Sequence, residues 1–312
     1  MVMRVLFLGT PEFAAVLLRT LLDDGYDVCG VFTQPDRPSG RGQRLQFPPV
    51  KTLAVSRGIR VFQPEKLRAE ENRAIVESLN PDIIITAAYG QLVPAWMLRL
   101  SRLFPLNIHA SLLPRWRGAA PIERAILNGD AVSGVTIMVM EETLDSGGIL
   151  LCEETAISIE TTAGELTETL AEIGARLMLK TLEGLQSGSI TPKPQDETLV
   201  TWAQKITKAE AAVSWEQPAM EIHNRIRALN PSPGVVIDFK GERISLWRSL
   251  PAESAVNASP GTLLGVVGNS LRVACGDASA IDISEIQRPG KKRTNGREFA
   301  SGSRLKPGDF LY

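Results

Sequence analysis

Cysteine and histidine are both scarce in this sequence, and each scarcity removes a class of chemistry. The three cysteines, Cys29, Cys152 and Cys275, stand far apart with no CxxC pair. They suit buried thiols in a reducing compartment, the cytoplasm, better than disulfides or a zinc site. The only histidines are His109 and His223, too few for a ligand cluster, so no metal is expected. No apolar run approaches the roughly 20 residues that cross a bilayer, so no membrane partner is expected. The first nine residues lack a cleavage site and pass straight into a strand pattern, which argues against a signal peptide. Neither GxGxxG nor GK[ST] follows the first strand, so a dehydrogenase and a Walker-type nucleotide site are both excluded.

What is present suffices for two cores. The chain has 312 residues, 44% of them hydrophobic, and a net charge of −1. The charge is uneven: from residue 205 onward there are 15 Lys and Arg against 11 Asp and Glu, and before it 19 against 24. A mildly basic second part is compatible with a polyanionic partner but also with ordinary solvated surface.

Residues 4–9 form a short apolar run ending in Gly9, the pattern of a buried parallel strand. Thr10 and Pro11 offer an N-cap and a first-turn proline for a helix over 13–22. A strand over 27–32, helices over 51–57 and 70–79, and a buried strand over 82–90 continue the alternation of an α/β domain. Asn80-Pro81 breaks the second of these helices. Strands follow over 133–140 and 149–155, then a long helix that a Thr162/Glu165 capping box opens and that runs to about 185. The rhythm fails over 187–208, around Pro192 and Pro194. After a helix over 218–229, regularly spaced short strands suggest a small β-barrel. The boundaries expected are a catalytic domain over 1–190, a linker over 191–208 and a mainly β domain over 209–312.

Residues 33–51 are too long for an ordinary strand-to-helix connection. They carry Arg37, Arg41, Arg44 and Lys51 against Asp36 alone. Arginines on an irregular loop suit phosphate contacts through their planar fork of donors; a solvated surface loop is the equal alternative.

The chemistry concentrates in residues 107–121, which follow an apolar run over 103–106 read as the end of a buried strand. Asn107 and His109 stand two apart, so on a strand they share a face. An amide donor, an imidazole and a carboxylate such as Asp145 can run acyl transfer to an amine without a covalent enzyme intermediate. The amide and a protonated imidazole would hold the oxyanion, and the carboxylate would relay the proton. Gly147 and Gly148 would let a ligand approach the backbone near Asp145. Spacing does not show that Asp145 reaches His109, and His109 by itself would read as a hydrogen-bonded core histidine. His223, on a helix, reads as a packing or surface residue.

The pattern Asn-x-His-x-Ser-Leu-Leu-Pro-x-x-Arg-Gly-x-x-Pro at 107–121, with Leu144, Asp145 and Gly147 downstream, resembles the 10-formyltetrahydrofolate-dependent formyltransferases. Gly9-Thr10-Pro11-Glu12-Phe13, TQPDRPSGRG in the basic loop, LNPSPG at 229–234 and Arg288-Pro289-Gly290-Lys291-Lys292-Arg293 extend the likeness over nearly the whole chain. Ser232 replaces the family's usual Trp in the Asn-Pro-x-Pro-Gly turn. The resemblance implies an N-terminal Rossmann-like formyltransferase domain and a C-terminal OB-like β-barrel domain that holds tRNA. It makes Asn107, His109 and Asp145 the catalytic trio, and 10-formyltetrahydrofolate the formyl donor. Ser111, Leu112, Leu113 and Pro114 would hold the folate, with Ile85 and Tyr89 lining the pterin pocket. Initiator methionyl-tRNA would be the acceptor, met by Arg37, Arg41 and Arg44 in the basic loop and by Lys205, Lys208, Lys291, Lys292 and Arg293 in the second domain. A monomer is expected. The rivals are transfer to an amino sugar nucleotide, hydrolysis of the formyl-folate, and a catalytically silent RNA-binding relative. The basic loop and Lys-rich second domain favour tRNA over the first two, and the intact trio argues against the third.

Overall fold

The computed structural model describes residues 3–39, 44–252 and 256–311, with the side chains of Ser39 and Arg44 left out. By contacts the chain divides into two compact units. The first comprises Met1–Pro121, Ser133–Thr155 and Thr167–Ala203; the second comprises Ile122–Val132, Ala156–Leu166 and Gln204–Tyr312.

The first unit grows from β1 (Arg4–Gly9), α1 (Glu12–Asp23) and β2 (Asp27–Phe32). Both strands are buried over five consecutive residues, as strands covered on both faces must be. Phe13, Ala14, Leu17, Leu18 and Leu21 of α1 recur at helical spacing and are buried together. Thr10 is not the cap of this helix. Pro11 holds the N-cap position without a side-chain bond, and the Thr10 hydroxyl donates instead to the Tyr89 carbonyl at 3.0 Å.

The loop over 33–51 is not wholly irregular: β3 (Arg37–Ser39) and β4 (Arg44–Gln46) pair antiparallel, with Arg37 opposite Gln46. Next come α2 (Pro49–Ser56), β5 (Val61–Phe62), α3 (Glu70–Leu79), β6 (Ile83–Ala87) and α4 (Ala95–Leu98). Asn80 caps α3 in the left-handed conformation, φ 45°, which a short polar side chain tolerates. The strand expected over 103–106 begins only at Leu106. This strand, β7 (Leu106–His109), carries Asn107 and His109 itself.

The remaining elements of the first part of the chain are β8 (Arg117–Gly118), α5 (Pro121–Leu127), β9 (Val132–Val139), β10 (Ile149–Ala156) and α6 (Ala163–Ser187). The capping box of α6 forms in both directions, Thr162 N–H to Glu165 Oε2 at 2.9 Å and Glu165 N–H to Thr162 Oγ1 at 3.3 Å. The seven-stranded sheet has the order β10-β9-β7-β6-β1-β2-β5. Strands β5, β2, β1, β6 and β7 are parallel, and β9 runs antiparallel to β7. The order turns from β1 outward to β2 and then back to β6, which is the switch point where open parallel sheets collect ligands at the strands' carboxyl ends. The stretch over 191–208, read as a linker, contains β11 (Trp202–Ala203), which pairs parallel with β8, Trp202 opposite Arg117.

The second unit holds α7 (Ala219–Ala228), β12 (Val235–Phe239), β13 (Glu242–Pro251), β14 (Leu263–Val267), β15 (Ser270–Ala274), β16 (Ala280–Gln287), β17 (Arg293–Asn295) and α8 (Gly296–Ser303). Its antiparallel sheet has the order β12-β13-β16-β15-β14. Strand β15 pairs with residues 280–283 of β16 and β17 takes over along residues 285–287. Ile222 and Ile226 on one face of α7, with Leu229 at its C-cap, bury in one cluster with Val235, Ile237 and Phe239, the alternate residues of β12. Trp247 closes over the turn at Gly234, where its ring would meet any added Cβ at 3.0 Å.

Candidate functional site

The site lies at the carboxyl end of β7. Asn107 sits opposite Thr86 of β6 and Met138 of β9, and His109 opposite Thr136 of β9. Asp145 arrives from the connection between β9 and β10 in a left-handed conformation, φ 51°, which Asp accepts more readily than most residues.

These three side chains meet. Asn107 Nδ2 donates to Asp145 Oδ1 at 3.3 Å, and the Gly118 backbone N–H donates to Asp145 Oδ2 at 2.9 Å. His109 Nδ1 lies 3.7 Å from Asp145 Oδ2, and His109 and Asp145 are both buried, 6% and 8% exposed. His109 Nε2 is 2.9 Å from the Trp116 carbonyl oxygen. A carbonyl only accepts, so Nε2 carries a proton and Nδ1 is the nitrogen left facing Asp145. Trp116 itself has φ 64°. The backbone is tight around the carboxylate: a Cβ on Gly147 would overlap the Val139 carbonyl, and one on Gly118, at φ 124°, would come 2.7 Å from the Ala203 oxygen.

The turn over 111–114 is anchored beside the trio. Thr136 Oγ1 donates to the Ser111 carbonyl at 2.7 Å and accepts the Leu113 N–H at 3.0 Å, while Ser111 Oγ donates to the Arg115 carbonyl at 2.6 Å. Leu112 and Pro114 are half-buried. Ile85 and Tyr89 are buried, 0% and 1% exposed. Burial pushes the Tyr89 phenol above its usual range. Its hydroxyl and that of Thr86, the neighbour of Asn107 on β6, are buried and find no hydrogen-bond partner among the described residues.

The expected tRNA contacts are divided between the two units. Arg37 is exposed on β3; Arg41 lies outside the described residues, as does the Arg44 side chain. Lys51 is bound to Asp36 at 2.5 Å, and that hydrogen bond, with one from Gln63, holds the Asp36 carboxyl below the usual range. In the second unit Lys205, Lys208, Lys291 and Lys292 are exposed. Arg293 pairs with Glu285 at 3.0 Å and lies over the Trp247 ring, 4.2 Å from its centroid.

Residues that sequence reasoning did not single out surround Asp145. The Gln195 amide donates to the carbonyls of Asp145 and Gly147, both at 2.8 Å. Arg117, only 3% exposed, donates to Gln195 Oε1 and to both oxygens of Glu197. Arg117 was visible as part of the 107–121 pattern; Gln195, 50 residues from Asp145, carried no local signal. Among the described residues, no helix is long and apolar enough to cross a membrane and no three His, Cys, Asp or Glu side chains converge as a metal site.

The sequence profile described as formyl transferase matches residues 3–182, and that of the formyl transferase C-terminal domain matches residues 205–304. The chain belongs to the formyl transferase family. This formyltransferase is 48% identical to the methionyl-tRNA formyltransferase of Methylibium petroleiphilum, over 99% of its own length and all of the relative's. Among solved structures it shares its fold with WlaRD, a sugar 3N-formyl transferase, at a TM-score of 0.68 and 18% identity over 94% of this chain and all of that one. It also shares its fold with HypX from Aquifex aeolicus, at a TM-score of 0.67 and 19% identity over 98% of this chain and 49% of that one.

Proposed function

We propose that this formyltransferase moves the formyl group of 10-formyltetrahydrofolate to the α-amino group of methionine on initiator methionyl-tRNA. The observation that carries the chemistry is the Asp145 carboxylate, held by the Asn107 amide and the Gly118 N–H opposite His109 Nδ1. The full-length likeness to a methionyl-tRNA formyltransferase supports the acceptor. The buried hydroxyls of Thr86 and Tyr89, without a partner among the described residues, suit a ligand rich in N–H and carbonyl groups, as a pterin is. Ser111, Leu112, Leu113 and Pro114 border the same strand end and would hold the folate, which supplies a formyl group on a nitrogen that departs as an amine.

Asn107 spends one amide N–H on Asp145; the other is the donor to the oxyanion that forms when the amine attacks the formyl carbon. Asp145 takes the proton that the attacking nitrogen loses; His109, with Nε2 on the Trp116 carbonyl and Nδ1 facing the carboxylate, serves as relay to the departing nitrogen in place of the oxyanion role expected from the sequence. His109 Nε2 stays on the Trp116 carbonyl and fixes the ring's tautomer. Arg37, Arg41 and Arg44, with Lys205, Lys208, Lys291, Lys292 and Arg293, meet the acceptor's phosphates. The protein acts as a cytoplasmic monomer.

The test is formyl transfer from 10-formyltetrahydrofolate to charged initiator tRNA, beside an amino sugar nucleotide and a control without acceptor. N-formylmethionine on the tRNA alone is the expected result. Transfer to the sugar, or formate release without an acceptor, overturns the reading.

A further inference from the structure

We propose that Gln195 is a positioning residue for Asp145, acting with Arg117 and Glu197 as one latch; the inference rests on the formyl-transfer reading above. The segment that carries Gln195 has the sequence features of a linker, yet its amide is fully used. Nε2 spends both hydrogens on the Asp145 and Gly147 carbonyls, at 2.8 Å each. Oε1 accepts Arg117 Nη2 at 2.7 Å and Nε at 3.1 Å. The orientation of the amide follows from its partners: carbonyls only accept and a guanidinium only donates, so the oxygen and nitrogen of Gln195 cannot exchange places. Arg117 is in turn gripped by Glu197, Nη2 to Oε1 at 2.7 Å and Nη1 to Oε2 at 3.1 Å. This two-pronged pairing satisfies a cation that is otherwise buried.

The latch sets both ends of the interaction that aims the carboxylate. On one side it holds the backbone of Asp145 in its left-handed conformation, between Glu141, Glu142, Thr143 and Leu144, all exposed, and the crowded Gly147. On the other it holds Arg117, whose neighbour Gly118 donates to Asp145 Oδ2. His109 Nδ1 stands 3.7 Å from that oxygen, so a small rotation of the loop separates the pair. Removing the two Gln195 donors leaves two carbonyls to find other partners, and the loop turns to expose them to water.

The test is a double-mutant cycle. Gln195→Met keeps the side-chain length and removes every hydrogen bond; Gln195→Glu keeps the acceptor for Arg117 and removes both donors to the loop. The wild-type protein is first assayed on charged initiator tRNA, an amino sugar nucleotide and no acceptor. That step decides the functional reading by itself, and the cycle is then run on whichever reaction the wild type performs. In otherwise wild-type protein each Gln195 variant should lower kcat by roughly 10- to 100-fold with KM values nearly unchanged, the scale of a small misplacement of a reacting group. In an Asp145→Asn background the same variants should cost little further, because a residue acting through Asp145 has nothing left to position. Thermal unfolding of each variant separates misplacement from loss of fold, and if Gln195→Met does not fold, Gln195→Glu alone decides. A kcat within about twofold of wild type, or a loss that persists undiminished beside Asp145→Asn, overturns the proposal.

Discussion

Asn107 and Asp145 are 38 residues apart in the chain, and the Asn107 amide donates to Asp145 Oδ1 at 3.3 Å. The contact joins a rigid strand end to a left-handed turn. It leaves the other carboxylate oxygen to the Gly118 N–H and to His109 Nδ1. A neutral donor therefore fixes the direction of the carboxylate without neutralising it.

Asp145→Asn keeps a residue that accepts the left-handed backbone and removes the proton acceptor. We expect kcat to fall by roughly 10²- to 10⁴-fold with the unfolding temperature nearly unchanged. His109→Ala should likewise suppress turnover far more than folate affinity. Single-turnover kinetics beside a folate-binding titration check both, and an active variant of either kind would remove that residue from the mechanism.

Gly147→Ala places a methyl group on the Val139 carbonyl and displaces a carbonyl that accepts from Gln195. The expected cost is about 1–3 kcal/mol of stability, with activity falling beyond what the unfolded fraction explains. Urea unfolding together with kcat on the folded protein measures the two parts. A variant as stable and active as wild type would contradict the packing around Asp145.

His223 is the buried histidine of the second unit, its Nδ1 bonded to Ser249 Oγ at 3.0 Å and its Nε2 to the Ile159 carbonyl at 2.7 Å. Burial above all, with the Arg227 charge adding to it, lowers its pKa from the usual 6.5, although both hydrogen bonds and Glu160 pull the other way. The unfolded chain then binds a proton that the folded chain refuses. Stability from this group is complete above about pH 6.5 and declines as the pH falls below it. Wild-type protein should lose more unfolding temperature between about pH 7.5 and pH 5.5 than His223→Gln does. Parallel slopes would show that His223 does not titrate this way.

Glu210 binds Arg124 at 2.6 Å and accepts the Thr207 N–H at 2.7 Å. The Arg124 hydrogen bond is the largest cause that brings its carboxyl down to about 2. A lowered carboxyl stabilises the fold above its unfolded pKa and loses that contribution as the pH falls through the folded value. Glu210→Gln should therefore cost about 1 kcal/mol at neutral pH, and the gap to wild type should narrow from about pH 4.5 downward. Denaturant midpoints along that series test the sign, and a gap that widens in acid would refute it.

Local pattern carried much of this molecule. The continuous apolar runs of β1, β2 and β6 announce strands buried on both faces, Asn80-Pro81 announces the end of α3, and Thr162 with Glu165 announces the start of α6. Each signal lies within a few neighbouring residues, so the chain states it directly. Thr10 shows the limit: a residue type suited to an N-cap is drawn off by a carbonyl 79 residues away. Strands β8 and β11 have two residues each, too few for any period, and β3 and β4 pair inside a stretch whose prolines and glycines suggest a loop.

The sequence alone thus determined which residues could do the chemistry, an amide, an imidazole and a carboxylate in a recognisable pattern, because residue type and spacing fix what a side chain can donate, accept or carry. Only the tertiary structure decided that Asp145 reaches Asn107 and His109, and that Arg117, Gln195 and Glu197 brace it. Those contacts span from 36 to 80 residues of chain, and no local period records a meeting that sheet order and loop packing create.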